Sequence, residues 1–192
     1  MEREKFMKEF FKSAKKGSFE TFDTYIHQDL TKAFDRGQLF LGIDDEITAH
    51  QPLVFAFPEF LFKDIDSKVI YSEDKMRYDM TRFNSLSFGD QFLYFYTCII
   101  DHTQERMYND FSVEVSYLDI KGLQTSFRFK KIHDIYHHIL ELKVLLHGKD
   151  ISIPIRNRVV SVDTDEAAYQ LDADVLGVLT ELKKFLRSKM SF

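Results

Sequence analysis

The chain has no tryptophan and a single cysteine, Cys98. Its core must therefore lean on its 20 phenylalanines together with leucine and isoleucine. One cysteine cannot form an internal disulfide, so a reducing compartment fits it best. No run of apolar residues is long enough to cross a bilayer as a helix. The start, Met1-Glu2-Arg3-Glu4-Lys5, is charged rather than a signal peptide. These absences predict a soluble, cytoplasmic protein with no membrane span. A basic surplus is also missing: 26 Lys and Arg stand against 31 Asp and Glu, a formal charge of −5. That argues against a duplex-DNA binder and leaves room only for a local basic patch. Neither G-x-G-x-x-G nor G-x-x-x-x-G-K-[ST] occurs, so the standard phosphate-cradling loops are lacking, and so is His-Glu-x-x-His.

What is present is strand grammar, densest from Phe111 to Val162. Phe111, Val113, Val115 and Tyr117 alternate with polar residues. After Asp119-Ile120-Lys121-Gly122, where Gly122 would supply positive φ, Leu123, Thr125, Phe127 and Phe129 do the same. The pattern predicts a hairpin. A second hairpin joins Leu140–Val144 to Ile151–Ile155 through His147-Gly148-Lys149-Asp150. Pro154 cannot donate a ladder hydrogen bond, which assigns its strand to a sheet edge or a bulge. Arg158–Val162 reads as a last short strand. Upstream, Phe92–Ile100 suits a strand buried on both faces, and Val69–Tyr71 with Met76–Met80 a hairpin. Leu39–Ile43 reads as a strand, Asn84–Asp90 as a loop, and the apolar segment Val54–Phe62 as two short strands or an exposed hydrophobic loop.

Helices flank this β-rich middle. Phe6, Phe10 and Ala14 share a face of a helix ending at Gly17. Ser18 would cap a second helix whose stripe is Phe22, Ile26, Leu30 and Phe34, stopped by Gly37. This helical hairpin covers a sheet or, alternatively, serves as a dimerisation or docking arm. Val175, Leu179, Leu182 and Leu186 give a C-terminal amphipathic helix, with Asp172 or Asp174 as its N-cap. The expected fold is α+β: an N-terminal helical hairpin over 1–37, a β-rich region over 38–105, and from 106 to 192 an antiparallel sheet or small barrel closed by the C-terminal helix.

Four constellations could carry chemistry. His133, Asp134, His137 and His138 would pair on a helix at ligand spacing, which opens a metal-dependent enzyme as one function, although two histidines alone are more often structural. Cys98 sits between Tyr96-Thr97 and Ile99-Ile100, flanks that predict burial rather than a nucleophile. The carboxylate pairs Asp44-Asp45 and Asp163-Asp165 fit turns and helix starts. Phe127-Arg128-Phe129-Lys130-Lys131 interleaves aromatic and basic residues, but alternation puts Arg128 and Lys130 on the face opposite the rings, as in an ordinary amphipathic strand.

The tail also carries a family pattern. The hairpin Leu140–Ile155 is followed by Arg158–Val162, a polar gap, Tyr169-Gln170-Leu171, and a helix ending Leu182-Lys183-Lys184-Phe185-Leu186. This order resembles that of PilZ domains, small barrels that receive cyclic-di-GMP. Gly122 stands at the glycine of the family's [DN]-x-S-x-x-G turn, with Asp119 at its serine and Tyr117 at its acidic or amide position. For the upstream R-x-x-x-R clamp, Arg106 is followed four residues later by Asp110, and Arg77 and Arg82 lie five apart. The resemblance implies a non-enzymatic signalling or adaptor module, acting through an unidentified protein partner and weak cyclic-di-GMP binding. Arg106, Asp119 and Gly122 would be its ligand-binding residues, and no metal or cofactor is called for. A small hydrophobic-ligand binder with a Phe-rich cavity is the alternative from composition, with the His133/His137/His138 metal enzyme behind it.

Overall fold

The computed structural model describes residues 2–13, 18–43, 50–72, 75–132, 135–160 and 173–190. In order the elements are α1 (Glu2–Lys12), α2 (Phe19–Leu41), β1 (His50–Pro58), a 3₁₀ turn (Glu59–Leu61), β2 (Val69–Ser72), β3 (Lys75–Tyr78), β4 (Met80–Phe88), β5 (Phe92–Asp101), β6 (Arg106–Ser116), a second 3₁₀ turn (Tyr117–Asp119), β7 (Gly122–Ile132), β8 (Ile135–Leu145), β9 (Ile151–Val160) and α3 (Ala173–Lys189). The strands form three antiparallel sheets, β1-β4-β5-β6, β2-β3 and β7-β8-β9. The α+β expectation holds, with open sheets in place of a closed barrel among the described residues. The chain forms two compact units, residues 1–87 with 94–113 and residues 88–93 with 114–192.

In the first unit α1 and α2 make the expected helical hairpin, joined by the stacked rings of Phe10 and Phe22 with centroids 4.4 Å apart. α2 lies on the four-stranded sheet: Ala33, Phe83, Tyr96, Cys98 and Ile100 form one buried cluster, with Leu30 and Phe34 packed against it. The helix continues past Gly37 to Leu41, so the strand expected at Leu39–Ile43 is its last turn. The left-handed residue that ends it is Gly42, at φ 63°. Gly37 serves a different purpose. A methyl group there would come within 2.6 Å of the Tyr96 ring, so its missing side chain is what lets α2 approach β5. The ring cannot readily yield, because Tyr96 is fully buried and its hydroxyl donates to Asp110 at 2.6 Å.

Two further expectations change. Asn84–Asp90 is not a loop: β4 runs through Phe88, with Asn84, Ser85 and Ser87 buried beside Phe83 and Leu86. Ladder hydrogen bonds satisfy the backbone there, so polar side chains did not prevent a strand. Val54–Phe62 is one strand followed by a 3₁₀ turn. Phe92–Asp101 is buried almost throughout, as expected.

The second unit holds β7-β8-β9, the Tyr117–Asp119 turn and α3. β6 joins β5 while β7 joins β8, so the hairpin expected across Asp119–Gly122 does not form. Gly122 does not take positive φ, whereas Gly148, in the β8–β9 turn, does at 89°. Arg158 belongs to β9 itself, which spans Ile151–Val160. Leu179, Leu182 and Leu186 bury the inner face of α3. Its Phe185 meets Phe88 and Tyr117 edge-on, at 5.1 and 6.1 Å. The expected caps Asp172 and Gly17, the segments Asp44-Asp45, Asp163-Asp165, Ser161-Val162 and Tyr169–Leu171, and His133 with Asp134 lie outside the described residues.

Two helical glycines should respond to substitution with opposite signs. Gly37→Val overpacks the contact with Tyr96 and should destabilise by about 2–3 kcal/mol. Gly177→Ala, in α3 with nothing within 4 Å of the new methyl, should stabilise by about 0.5–1 kcal/mol. Chemical denaturation of both variants checks this; the same sign for both would contradict the contact described for α2.

Candidate functional site

The residues named from sequence do not form one site. Arg106 opens β6 in the first unit, exposed, and lines a polar cleft of about 350 Å³ with Arg3, Glu4 and Gln104. Asp119 ends the second 3₁₀ turn, also exposed, and Gly122 begins β7; both belong to the second unit. The other candidate clamp arginines are engaged by carboxylates. Arg77, 4% exposed, forks onto Asp23 at 2.9 and 3.0 Å, and Arg82 forks onto buried Glu59 at 2.8 Å twice. Asp110 takes a third fork, from Arg36, at 2.7 and 2.9 Å. His137 and His138 are neighbours on β8 and so point to opposite faces, and the helical ligand spacing does not arise. No group of three metal-ligating side chains occurs among the described residues. Cys98 is buried, which pushes its thiol up to about 11.

Composition also suggested an apolar cavity. A cleft of about 420 Å³ lies beside α2 and β3, with Ile26, Leu30 and Met76 on its apolar side. Phe22 is the one phenylalanine in its described lining.

Two arrangements escaped the sequence reading. The first is a buried hydrogen-bonded chain in the first unit. Thr81 Oγ1 lies 2.6 Å from His102 Nε2, and His102 Nδ1 lies 2.6 Å from Asp29 Oδ2. The carboxylate can only accept, so Nδ1 carries a proton, and in the neutral imidazole Nε2 accepts from the Thr81 hydroxyl. Arg3 donates to the same Asp29 oxygen, and its Nε donates to the His102 carbonyl at 3.1 Å. Hydroxyl, imidazole and carboxylate in this order also make up a hydrolase triad. Here Thr81, His102 and Asp29 are all completely buried, so a substrate has no approach to the hydroxyl. The chain instead ties together α1, α2, β4 and the β5–β6 turn. Its sequence signal was an acidic residue, Asp29, at the spacing of the buried positions Phe22, Ala33 and Gly37.

The second arrangement is a face of β7-β8-β9. Residues directly opposite in an antiparallel ladder point the same way. Phe127 pairs with Leu140 and Leu140 with Arg156; Phe129 pairs with His138 and His138 with Arg158. These are two parallel rungs. Each has a phenylalanine on β7 and an arginine on β9. Lys131 and Tyr136 add a partial third, the ammonium lying 5.5 Å from the ring centre. The His138 ring stacks on Phe129 at 4.5 Å and 5°, and meets Phe127 at 4.6 Å. Phe127 and Phe129 remain 43% and 49% exposed.

The arginines reach this face through a bulge. Glu141 pairs with Pro154 but Leu140 with Arg156, leaving Ile155 as the extra residue. Before the bulge β9 gives the face Ile151 and Ile153; unbroken alternation would continue with Ile155 and Asn157. The bulge replaces them with Arg156 and Arg158. Pro154 predicted an edge strand or a bulge, and both are present.

Stability should depend on the buried chain. Burial alone would raise the Asp29 carboxyl, but hydrogen bonds from His102 and Arg3 and the positive charge of Arg3 outweigh it and hold it below its usual range. A depressed carboxyl stabilises fully above its unfolded pKa, about 3.9, and that contribution is lost as pH falls through the lower folded value. Asp29→Ala should cost about 3–5 kcal/mol near neutral pH, since it strands Arg3 and His102. Urea titrations from pH 7 to pH 2 should show a smaller loss between pH 4 and pH 2 for the variant than for the parent. Parallel acid profiles would contradict the role given to this carboxylate.

Comparison with protein-family models, with curated proteins and with solved structures found no match.

Proposed function

We propose that the chain is a non-enzymatic signalling or adaptor module, of the kind its resemblance to PilZ domains implies. On this reading it binds cyclic-di-GMP weakly on the β7–β9 face and acts through contacts with another protein. The observation that carries it is the pair of rungs on that face. A cyclic dinucleotide has two planar bases and two phosphates. Phe127 and Phe129 offer rings for stacking, and Arg156 and Arg158 offer guanidinium groups that suit phosphate oxygens and guanine edges. The face is part of a three-stranded sheet. Phe127 and Phe129 are half exposed while Leu140 and His138 beside them are buried, so the ligand would meet only the outer part of this face, which favours weak binding over enclosure. Arg106 enters this reading only as a charged residue of the separate polar cleft.

Thermal unfolding with cyclic-di-GMP, and with cyclic-di-AMP and GTP as controls, tests the reading. Ligand at about 100 times its Kd should add about 2.7 kcal/mol, a rise of several degrees in Tm. The rise should be selective for cyclic-di-GMP, vanish in Arg156→Ala/Arg158→Ala, and persist in Arg106→Ala. No rise at millimolar ligand, or an equal rise in the double variant, would refute the site.

A further inference from the structure

The β2–β3 hairpin forms a sheet of its own, so side chains rather than ladder bonds join it to α2. Ile70 packs on the cluster of Met7, Phe10 and Phe22. Arg77 reaches from β3 to α2, where it forks onto Asp23 at 2.9 and 3.0 Å and lies over the Phe19 ring at 4.4 Å. A long side chain thus spans the gap between strand and helix. The space beside it is the cleft of about 420 Å³, a size that suits a small organic molecule, whose pockets run from about 300 to 1,000 Å³.

The lining of this cleft has two parts. Ile26 and Leu30 continue the apolar stripe of α2 that begins at buried Phe22, yet both are only partly buried, as is Met76 across from them on β3. The polar part is divided between a closed pair and two open groups. Arg77 is 4% exposed and spends its fork on both oxygens of Asp23, so these charges compensate each other. His27 stands one helical turn beyond Asp23, about 6 Å along α2. Lys75 stands two residues before Arg77, about 6.6 Å along β3. Both line the same cleft and both are exposed. Neither side chain has a hydrogen bond or ion pair among the described residues.

From this arrangement we infer that the cleft beside α2 binds a small monocarboxylate with an apolar tail. The tail lies along Ile26, Leu30 and Met76, and the carboxylate meets the Lys75 ammonium and a ring N–H of His27. A neutral apolar molecule would cover the same surface but leave the ammonium without a counter-charge. An amine would set like charges side by side. A ligand of several negative charges lacks partners, because the Arg77 guanidinium is already held by Asp23. This cleft belongs to the first unit and the β7–β9 face to the second, so the two binding sites stand or fall separately.

Two-dimensional NMR titration of the full chain tests this, since it gives both affinity and location. The probes are butanoate, hexanoate and octanoate, with hexan-1-ol and hexylammonium as neutral and cationic controls. The carboxylates should saturate one site, with amide shifts centred on Ile26, His27, Leu30, Lys75 and Met76. Affinity should rise about fourfold for each added methylene that is buried. Lys75→Ala should weaken hexanoate about two- to fivefold, the worth of an exposed ion pair, and leave hexan-1-ol unchanged. Glu73 and Asp74 precede Lys75 in sequence and lie outside the described residues. Glu73→Gln/Asp74→Asn removes two negative charges beside the cation and should tighten hexanoate. Met76→Trp should fill the cleft and abolish binding of every probe, with circular dichroism confirming that it folds; the comparison among probes on the parent chain needs no variant. No saturation at tens of millimolar hexanoate, shifts centred outside the cleft, or weaker hexanoate binding in the amide variant would overturn the inference. Affinity for hexan-1-ol or hexylammonium equal to that for hexanoate would overturn it as well, because the anion would then play no part.

Discussion

The first unit depends on a carboxylate that has been taken out of water. Asp29 is fully buried on α2 and accepts from both Arg3 and His102 through one oxygen. A buried charge is tolerable only with partners of opposite sign or strong donors, so its presence dictates where those partners stand. Arg3 fixes the start of α1. His102 fixes the β5–β6 turn, with its backbone N–H donating to the Asp79 carbonyl at 2.9 Å. Thr81 completes the imidazole from β4. Apolar packing between the same elements is non-directional and would tolerate rotation of α2 about its axis. The carboxylate and its partners select one rotation, and Gly37 opposite Tyr96 selects the same one.

In the second unit the corresponding constraint is one extra residue. A β-strand alternates with period two, so a single insertion exchanges its faces from that point onward. Ile155 does this to β9: Ile151 and Ile153 join Leu142 and Val144 on the buried part of the face, and Arg156 and Arg158 occupy its continuation. One side of the sheet is thus aliphatic along half its length, while along the other half aromatic and basic side chains flank buried Leu140 and His138. Such a division is unavailable to a strand of unbroken alternation, whose face keeps one character from end to end.

The features legible in sequence were those decided within a short window. Phe92–Ile100 is apolar or aromatic at every position but Thr97, Leu179, Leu182 and Leu186 follow helical spacing, and Pro154 cannot donate; each can be understood without a partner segment. The misread features depend on what lies opposite. Gly37 has the form of a helix stop and is in fact a contact point for Tyr96, so α2 overran into residues that read as a strand. The serines and Asn84 of β4 suggested a loop because their burial comes from the elements around them. The Phe111 and Leu123 alternations were each correct as strands, but their pairing was not, since period two says nothing about which neighbour a strand will choose. For the same reason the aromatic face was only half visible. Phe127 and Phe129 stood next to Arg128 and Lys130, which point away, while the arginines that share their face lie nearly thirty residues later, beyond a bulge.

That separation bears on how the face should be understood. An amphipathic strand becomes aromatic on one side and basic on the other by local composition alone, and such a pattern calls for no ligand. Rungs assembled from β7, β8 and β9 require the hairpin registers and the bulge to agree, and they do so twice in succession. Exposed phenylalanine lowers solubility. The His138 stack relieves part of that cost by covering one side of each ring. An apolar partner laid on this face would cover the rings but would also desolvate the guanidinium groups of Arg156 and Arg158 that share it.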